Sequence, residues 1–120
     1  MTFIRRILAA TLIATATTSS AWAQGTPNWR PSKPVRIVVP IVGSTNDVLA
    51  RLIAPELQKA FGQPFVVENK PGAGGNIGAL EVSRAAPDGH TLLVGYNGPL
   101  AINVTLFDKM PYDPTKDLAP

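Results

Sequence analysis

Four glycines fall within seven residues of the run Glu68-Asn69-Lys70-Pro71-Gly72-Ala73-Gly74-Gly75-Asn76-Ile77-Gly78, and this spacing is the strongest chemical signal in the 120-residue chain. Glycine has no Cβ, so successive backbone N–H groups can converge on one point. A helix opening at Asn76 would add unpaired donors and the positive end of its dipole. The chemistry this suggests is anion binding through Ala73, Gly74, Gly75 and Asn76, not bond breaking. A second set of donors lies in Gly43-Ser44-Thr45-Asn46-Asp47, small polar residues that precede a helical pattern. Asp47 reads as a carboxylate that caps or neutralises the first turn of that helix, with ligand contact as the alternative. Asn97 follows a strand, where an amide can both donate and accept, and it reads either as a ligand contact or as a turn residue.

Residue types that break bonds are sparse. His90 is the only histidine, set beside Gly89 at a turn, and it reads as a solvated residue on the edge opposite the glycine run. Ser44 and Ser83 have no histidine near them in sequence, so a Ser-His-Asp arrangement lacks support. Nothing in the sequence places Glu68 and Glu81 together as a carboxylate pair. There is no cysteine, which excludes a disulfide scaffold and a cysteine metal site. No catalytic residue, metal ligand or cofactor is therefore expected. A dinucleotide fingerprint needs glycines at its first, third and sixth positions; counting from Gly72, the sixth is Ile77, and Gly78 comes one residue late. A P-loop would need Gly-Lys-Ser or Gly-Lys-Thr, which does not follow. A nucleotide- or phosphate-binding α/β module stays as the alternative to small-anion recognition, beside a purely structural turn.

The elements that must hold these residues are legible from periodicity. Val35-Arg36-Ile37-Val38-Val39 is a β-branched run ending at Pro40, apolar on both pleat faces as in a parallel strand. Leu49, Leu52, Ile53, Leu57 and Phe61 recur at helical spacing and predict a helix over residues 46–61 with Gly62 as its stop. Pro55 lies inside it, at a nominal cost of ~3 kcal/mol in a helix interior, and predicts a kink or two shorter helices. Phe65-Val66-Val67-Glu68 is a second strand, residues 76–86 a second, small-residue helix, and Thr91-Leu92-Leu93-Val94-Gly95 a third strand. Residues 101–107 read as a short helix or an extended segment, and residues 110–114 as a turn. Alternating strands and helices with short connections predict an α/β fold, a βαβαβ unit with a three-stranded parallel sheet. Ligands of such sheets bind beyond the carboxyl ends of the strands, where residues 40–47, 69–76 and 96–99 form the loops.

Arg5 and Arg6 precede an uncharged run that ends in Ala21-Trp22-Ala23, a secretory signal-peptide pattern with cleavage expected after Ala23. Its threonines and serines keep it short of the ~20 predominantly apolar residues of a spanning helix. The net charge of +3 includes those two arginines; the remaining 97 residues carry nine basic side chains against eight acidic ones. Such a balance, without a basic block, leaves no electrostatic footprint for nucleic acid.

The flanking residues complete an ordered series. Trp29-Arg30-Pro31-Ser32-Lys33-Pro34 with the first strand, Asp47-Val48-Leu49-Ala50-Arg51, the stretch from Phe61 through the glycine run, Ala86-Pro87-Asp88-Gly89-His90-Thr91-Leu92-Leu93, Ala101-Ile102-Asn103, and Pro111-Tyr112-Asp113-Pro114 follow one another. This series resembles the periplasmic solute-binding receptors of tripartite tricarboxylate transporters, the Bug receptor family. The resemblance implies a two-lobed type II periplasmic binding fold that closes on an organic carboxylate and delivers it to membrane permease subunits. By position it implies that Ser44, Thr45 and Asn46, then Ala73, Gly74, Gly75 and Asn76, and then Asn97 contact the ligand. It implies a periplasmic location, with residues 1–23 as signal and residues 24–120 as the N-terminal part of lobe one. Ile41-Val42-Gly43-Ser44 is shorter than the usual first loop of the family and has one glycine in place of a pair. Because family members are much longer, this chain reads as a truncated receptor or a non-functional truncated product. An open sheet edge, uncovered apolar faces and weak or absent ligand binding by the piece alone are expected.

Overall fold

The computed structural model describes residues 29–120, so the signal segment expected over residues 1–23 lies outside the described residues. Three parallel strands, β1 (Val35–Val39), β2 (Phe65–Asn69) and β3 (Thr91–Leu93), form one sheet in the order β2-β1-β3. Val35 lies opposite Phe65 and Val39 opposite Asn69, while Ile37 lies opposite Leu92 on the other side. The expected βαβαβ architecture is present. With β1 in the middle, its two crossovers run over opposite faces, as right-handed connections require.

Helix α1 (Thr45–Phe61) covers one face. Val35, Ile37 and Val39 point to it and pack with Ala50, Ala54 and Phe65 in the core. The helix predicted from the spacing of large apolar residues is present, but not all of those residues form its buried face. Leu49, Leu52 and Ile53 are exposed, and the stripe that meets the sheet is Ala50 and Ala54, with Leu57 and Phe61 partly buried at its end. Two small residues four apart let the helix axis approach the strands closely, and that contact outweighs burial of the larger side chains beside it. Nor does Pro55 divide α1 into two helices. The carbonyl it deprives of a partner belongs to Arg51, and both residues lie on the solvent side. Gly62 ends the helix as expected, at φ +74° with its N–H on the carbonyl of Gln58 at 2.8 Å.

Helix α2 (Asn76–Ser83) covers the other face and is three residues shorter than expected. The Ala85 N–H turns back to Val82 O at 3.0 Å, tightening the last turn ahead of Pro87. Gly78 brings α2 against the end of β2, since a Cβ there would lie 2.9 Å from the carbonyl oxygen of Lys70. Arg36 points to this face and brings together the two carboxylates that sequence left apart. Its guanidinium holds both oxygens of Glu68, at 3.0 and 2.7 Å, and also reaches Glu81 on α2, which Lys70 approaches at 3.4 Å. Arginine offers five donors in a fixed fork, so one side chain can serve two acids.

Strand β3 stops two residues early, although the Val94 N–H still bonds Val38 O at 2.9 Å. A wide helical turn (Gly98–Ile102) then runs into α3 (Asn103–Leu106), resolving residues 101–107 as mostly helical. At the opposite end of the sheet His90 is not solvated. Its side chain is 11% exposed, Nε2 accepts from the Ser32 N–H at 3.2 Å, and Trp29 packs edge-on against it. The lead-in residues fold back over this end, and Trp29 fixes them there by donating Nε1–H to Asp88 O at 3.0 Å. Along β3 an apolar groove of about 1040 Å³ stays open, lined by Ile37, Leu57, Val82, Leu93, Leu100 and Leu118 among others.

Candidate anion-binding site

Three loops meet at the carboxyl edge of the sheet, and side-chain amides lace them together. The first begins after Pro40 and ends where Ser44 caps α1, its Oγ accepting the Asp47 N–H at 3.2 Å. Asp47 completes a capping box of a modified kind: its carboxylate accepts the Gly43 N–H at 3.0 Å instead of that of the cap residue itself. Asp47 is 6% exposed and also accepts from Asn69 Nδ2 at 3.0 Å and Arg51 Nε at 3.1 Å. The bond from Asn69, then that from Gly43, and the charge of Arg51 hold its carboxyl below the ordinary 3.8. The buried carboxylate is thus a fastener between the first loop and β2. Asn46 performs the same task on the other side, its Nδ2 donating to Gly95 O at 2.8 Å, so that the loops after β1 and β3 are joined. Thr45, the first residue of α1, is exposed.

The glycine run forms a single tight turn (Ala73–Gly75) that feeds directly into α2. Gly72, Ala73, Gly74 and Gly75 all have positive φ, at +127°, +48°, +63° and +91°. Three glycines accept this without a Cβ penalty, whereas Ala73 is held in a region that costs a non-glycine residue roughly 1–2 kcal/mol. The Gly75 N–H closes the turn on Gly72 O at 2.9 Å, and the Asn76 N–H bonds Ala73 O. The Ala73 and Gly74 amides precede these bonds, and neither has an acceptor among the described residues. Both residues are exposed. Gly75 is buried beneath Tyr96, whose Oη would lie 2.8 Å from a Cβ there.

Asn76 does not present its amide to solvent. It is 4% exposed; its Oδ1 accepts from Asn103 Nδ2 at 2.7 Å and its Nδ2 faces the sulfur of Met110 at 3.4 Å. Asn103, equally buried, also donates to Gly74 O at 2.9 Å, and the Tyr96 hydroxyl donates to the same oxygen at 2.9 Å. Tyr112 donates to Pro99 O at 2.6 Å, and burial raises its phenol above the ordinary 10.0. Asn97, where the third loop turns into the segment preceding α3, is exposed.

The structure therefore gathers Thr45, Asn46, Ala73, Gly74 and Asn97 on one loop edge, with Ser44, Asp47, Gly75 and Asn76 beneath as its support. Sequence reasoning missed the fasteners: Asn69, Tyr96, Asn103 and Tyr112. One signal was available for Asn103, a lone amide within the otherwise apolar run Leu100-Ala101-Ile102-Asn103-Val104. Among the described residues no three His, Asp or Glu side chains come together as a metal ion would need.

The family model described as the tripartite tricarboxylate transporter family receptor matches residues 49–120. A UPF0065 protein of Bordetella bronchiseptica is 42% identical over 117 residues, covering 97% of this chain and 34% of that protein. Protein BugT of Bordetella pertussis is 42% identical over 92 residues, 75% of this chain and 28% of its own length. Among solved structures, MatC of Rhodopseudomonas palustris with bound malate superposes with a TM-score of 0.68 at 49% identity, over 72% of this chain and 30% of that one. An R. palustris protein with adipate gives 0.67 at 43% identity, over 71% and 29%. This chain spans about a third of the length of the curated relatives it matches. The sheet order, the glycine turn and these matches agree: the chain belongs to the tripartite tricarboxylate transporter receptor family, a family of substrate-binding receptors and not of enzymes.

Proposed function

We propose that this chain contributes one side of a periplasmic receptor site that grips a carboxylate of a small organic acid for delivery to membrane permease subunits. The observation that carries the reading is the pair of amides at Ala73 and Gly74 that have no acceptor among the described residues, exposed on the same edge as the first turn of α1. Amide donors and a helix N-terminus suit a carboxylate, which needs few donors and carries one charge. Arg51 is occupied by Asp47 and Asn69, and Lys70, which precedes the turn, lies 3.4 Å from Glu81, which argues against a phosphate dianion or a nucleotide. Malate and adipate in two similar solved structures point to the same ligand class. Residues 1–23 would direct export and be removed.

Because the edge faces solvent, affinity for the chain alone should be roughly millimolar or weaker. Titration of isotope-labelled chain with malate, adipate, inorganic phosphate and a nucleotide, followed by amide NMR, tests the reading. Shifts that saturate with the dicarboxylates and centre on Thr45, Asn46, Ala73 and Gly74 are expected. Saturation by the nucleotide alone, or dicarboxylate shifts confined to residues elsewhere, would overturn it. Micromolar affinity would overturn the one-sided site.

A further inference from the structure

We infer that Asn103, assisted by Tyr96, is a positioning residue that locks the Gly74–Gly75 peptide in the one orientation that keeps the carboxylate-binding turn closed. The inference rests on the carboxylate reading above and adds the residue that sets the geometry of its donors.

The need for a lock follows from the two glycines. A peptide plane between ordinary residues is held by the Cβ atoms on either side, which exclude most of its rotations. Gly74 and Gly75 have none. Reversing the plane changes only ψ of Gly74, now +27°, and φ of Gly75, now +91°. Both reversed values lie in regions open to glycine. Sterics therefore leave two orientations available, and hydrogen bonds must choose.

The structure supplies those bonds at both ends of the same plane. Its N–H donates to Gly72 O at 2.9 Å, closing the turn. Its carbonyl, Gly74 O, accepts from Asn103 Nδ2 and from the Tyr96 hydroxyl, each at 2.9 Å. Reversal would aim Gly74 O at Gly72 O, two acceptors with no proton between them, and the turn that displays the Ala73 and Gly74 amides would open.

Asn103 is suited to this by its own surroundings. Gly74 O can only accept, so the Asn103 nitrogen must face it. That nitrogen carries two hydrogens, and the second goes to Asn76 Oδ1 at 2.7 Å. The orientation of Asn76 follows, with its own nitrogen on Met110. One amide group thus fixes both the plane before α2 and the first residue of α2. Asn103 is 4% exposed, so water does not substitute readily for either bond.

The substitution Asn103→Asp tests this with an internal switch. As a carboxylate, position 103 would set an acceptor against Gly74 O and Asn76 Oδ1; as a carboxylic acid, it regains one donor. The titratable side chains joined to this network are two phenols, Tyr96 and Tyr112, and no carboxylate or imidazole of the wild-type chain bonds to it among the described residues. Two readouts are taken on the full chain. Hydrogen exchange of the Gly75 amide without ligand reports the lock, and the ratio of variant to wild-type malate Kd reports positioning, with ligand protonation cancelled. At pH 7 the variant should exchange Gly75 at least about tenfold faster and bind about tenfold more weakly, both differences shrinking toward pH 5. Tyr96→Phe, which removes one bond without changing shape, should show a smaller, pH-independent effect of about threefold in each. The inference fails if Gly75 exchange in both variants matches wild type. It fails equally if exchange accelerates while malate affinity stays the same. Should wild type protect Gly75 yet show no malate response, the carboxylate reading fails while the lock survives.

Discussion

Gly75 and Gly62 both sit at positive φ, yet a Cβ would meet nothing within 4 Å at Gly62, while at Gly75 it would meet Tyr96 Oη at 2.8 Å and Pro99 Cγ at 3.1 Å. The pair separates backbone strain from packing. Gly62→Ala should cost about 1 kcal/mol, the left-handed penalty alone. Gly75→Ala adds overpacking against the third loop and should cost about 2–4 kcal/mol, measured by urea denaturation. Equal losses would mean that Tyr96 and Pro99 yield freely and do not seat the turn. At this scale the sequence was legible wherever a residue type has few uses. The glycine density marked the turn, and Ser44 with Asp47 marked the helix start. The roles of Asn69, Asn103 and Tyr112 as fasteners were not legible, because an amide or phenol takes its role from partners far along the chain, and the apolar run around Asn103 marked the residue but not its partner. The partner of Asn103 lies 27 residues away at Asn76, and that of Tyr112 lies 13 residues away at Pro99. His90 was misjudged for the same reason, since only the folded lead-in supplies Trp29 and Ser32 as its cover.

Among elements, the join of β1, β2 and α2 is electrostatic where that of β1 and α1 is apolar. Arg36 lies between Glu68 and Glu81, and the hydrogen bonds from its guanidinium hold both carboxyls below their ordinary 4.5. A lowered carboxyl value contributes stability that is present above the ordinary value and lost as pH falls through the folded one. Arg36→Met should therefore lower stability by about 1–2 kcal/mol at pH 7, the lower end for charged hydrogen bonds because a third of each side chain meets solvent. The deficit should shrink below about pH 4, where protonated acids no longer require the cation. An unchanged deficit in urea titrations at pH 7 and pH 3 would remove Arg36 as the joint. Strand and helix order was plain from periodicity, since β-branched runs alternate with longer mixed segments. The facing of α1 was not: the apolar count favoured Leu49, Leu52 and Ile53, while the close approach allowed by Ala50 and Ala54 decided it.

For the whole molecule, the open groove along β3 and the exposed side chains of Leu52, Ile53 and Leu100 present apolar surface to water. Folded chain should enhance the fluorescence of an apolar dye, and Leu100→Lys, in the groove wall, should reduce that signal and any concentration-dependent association without lowering stability by more than about 0.5 kcal/mol. Dye binding that appears only on addition of denaturant would show the groove to be closed in solution. Three parallel strands and two covering helices were foreseeable from the pattern, and the loop edge followed from their order. The hydrogen bonds that complete the edge join residues 22 to 29 positions apart, from Gly74 to Tyr96 and Asn103. That separation also orders events in time. As the chain emerges residue by residue, the glycine turn appears well before its lock, so a ligand arriving early would meet a turn still free to invert. Competence to bind is therefore acquired only when the segment through Asn103 has packed against the turn.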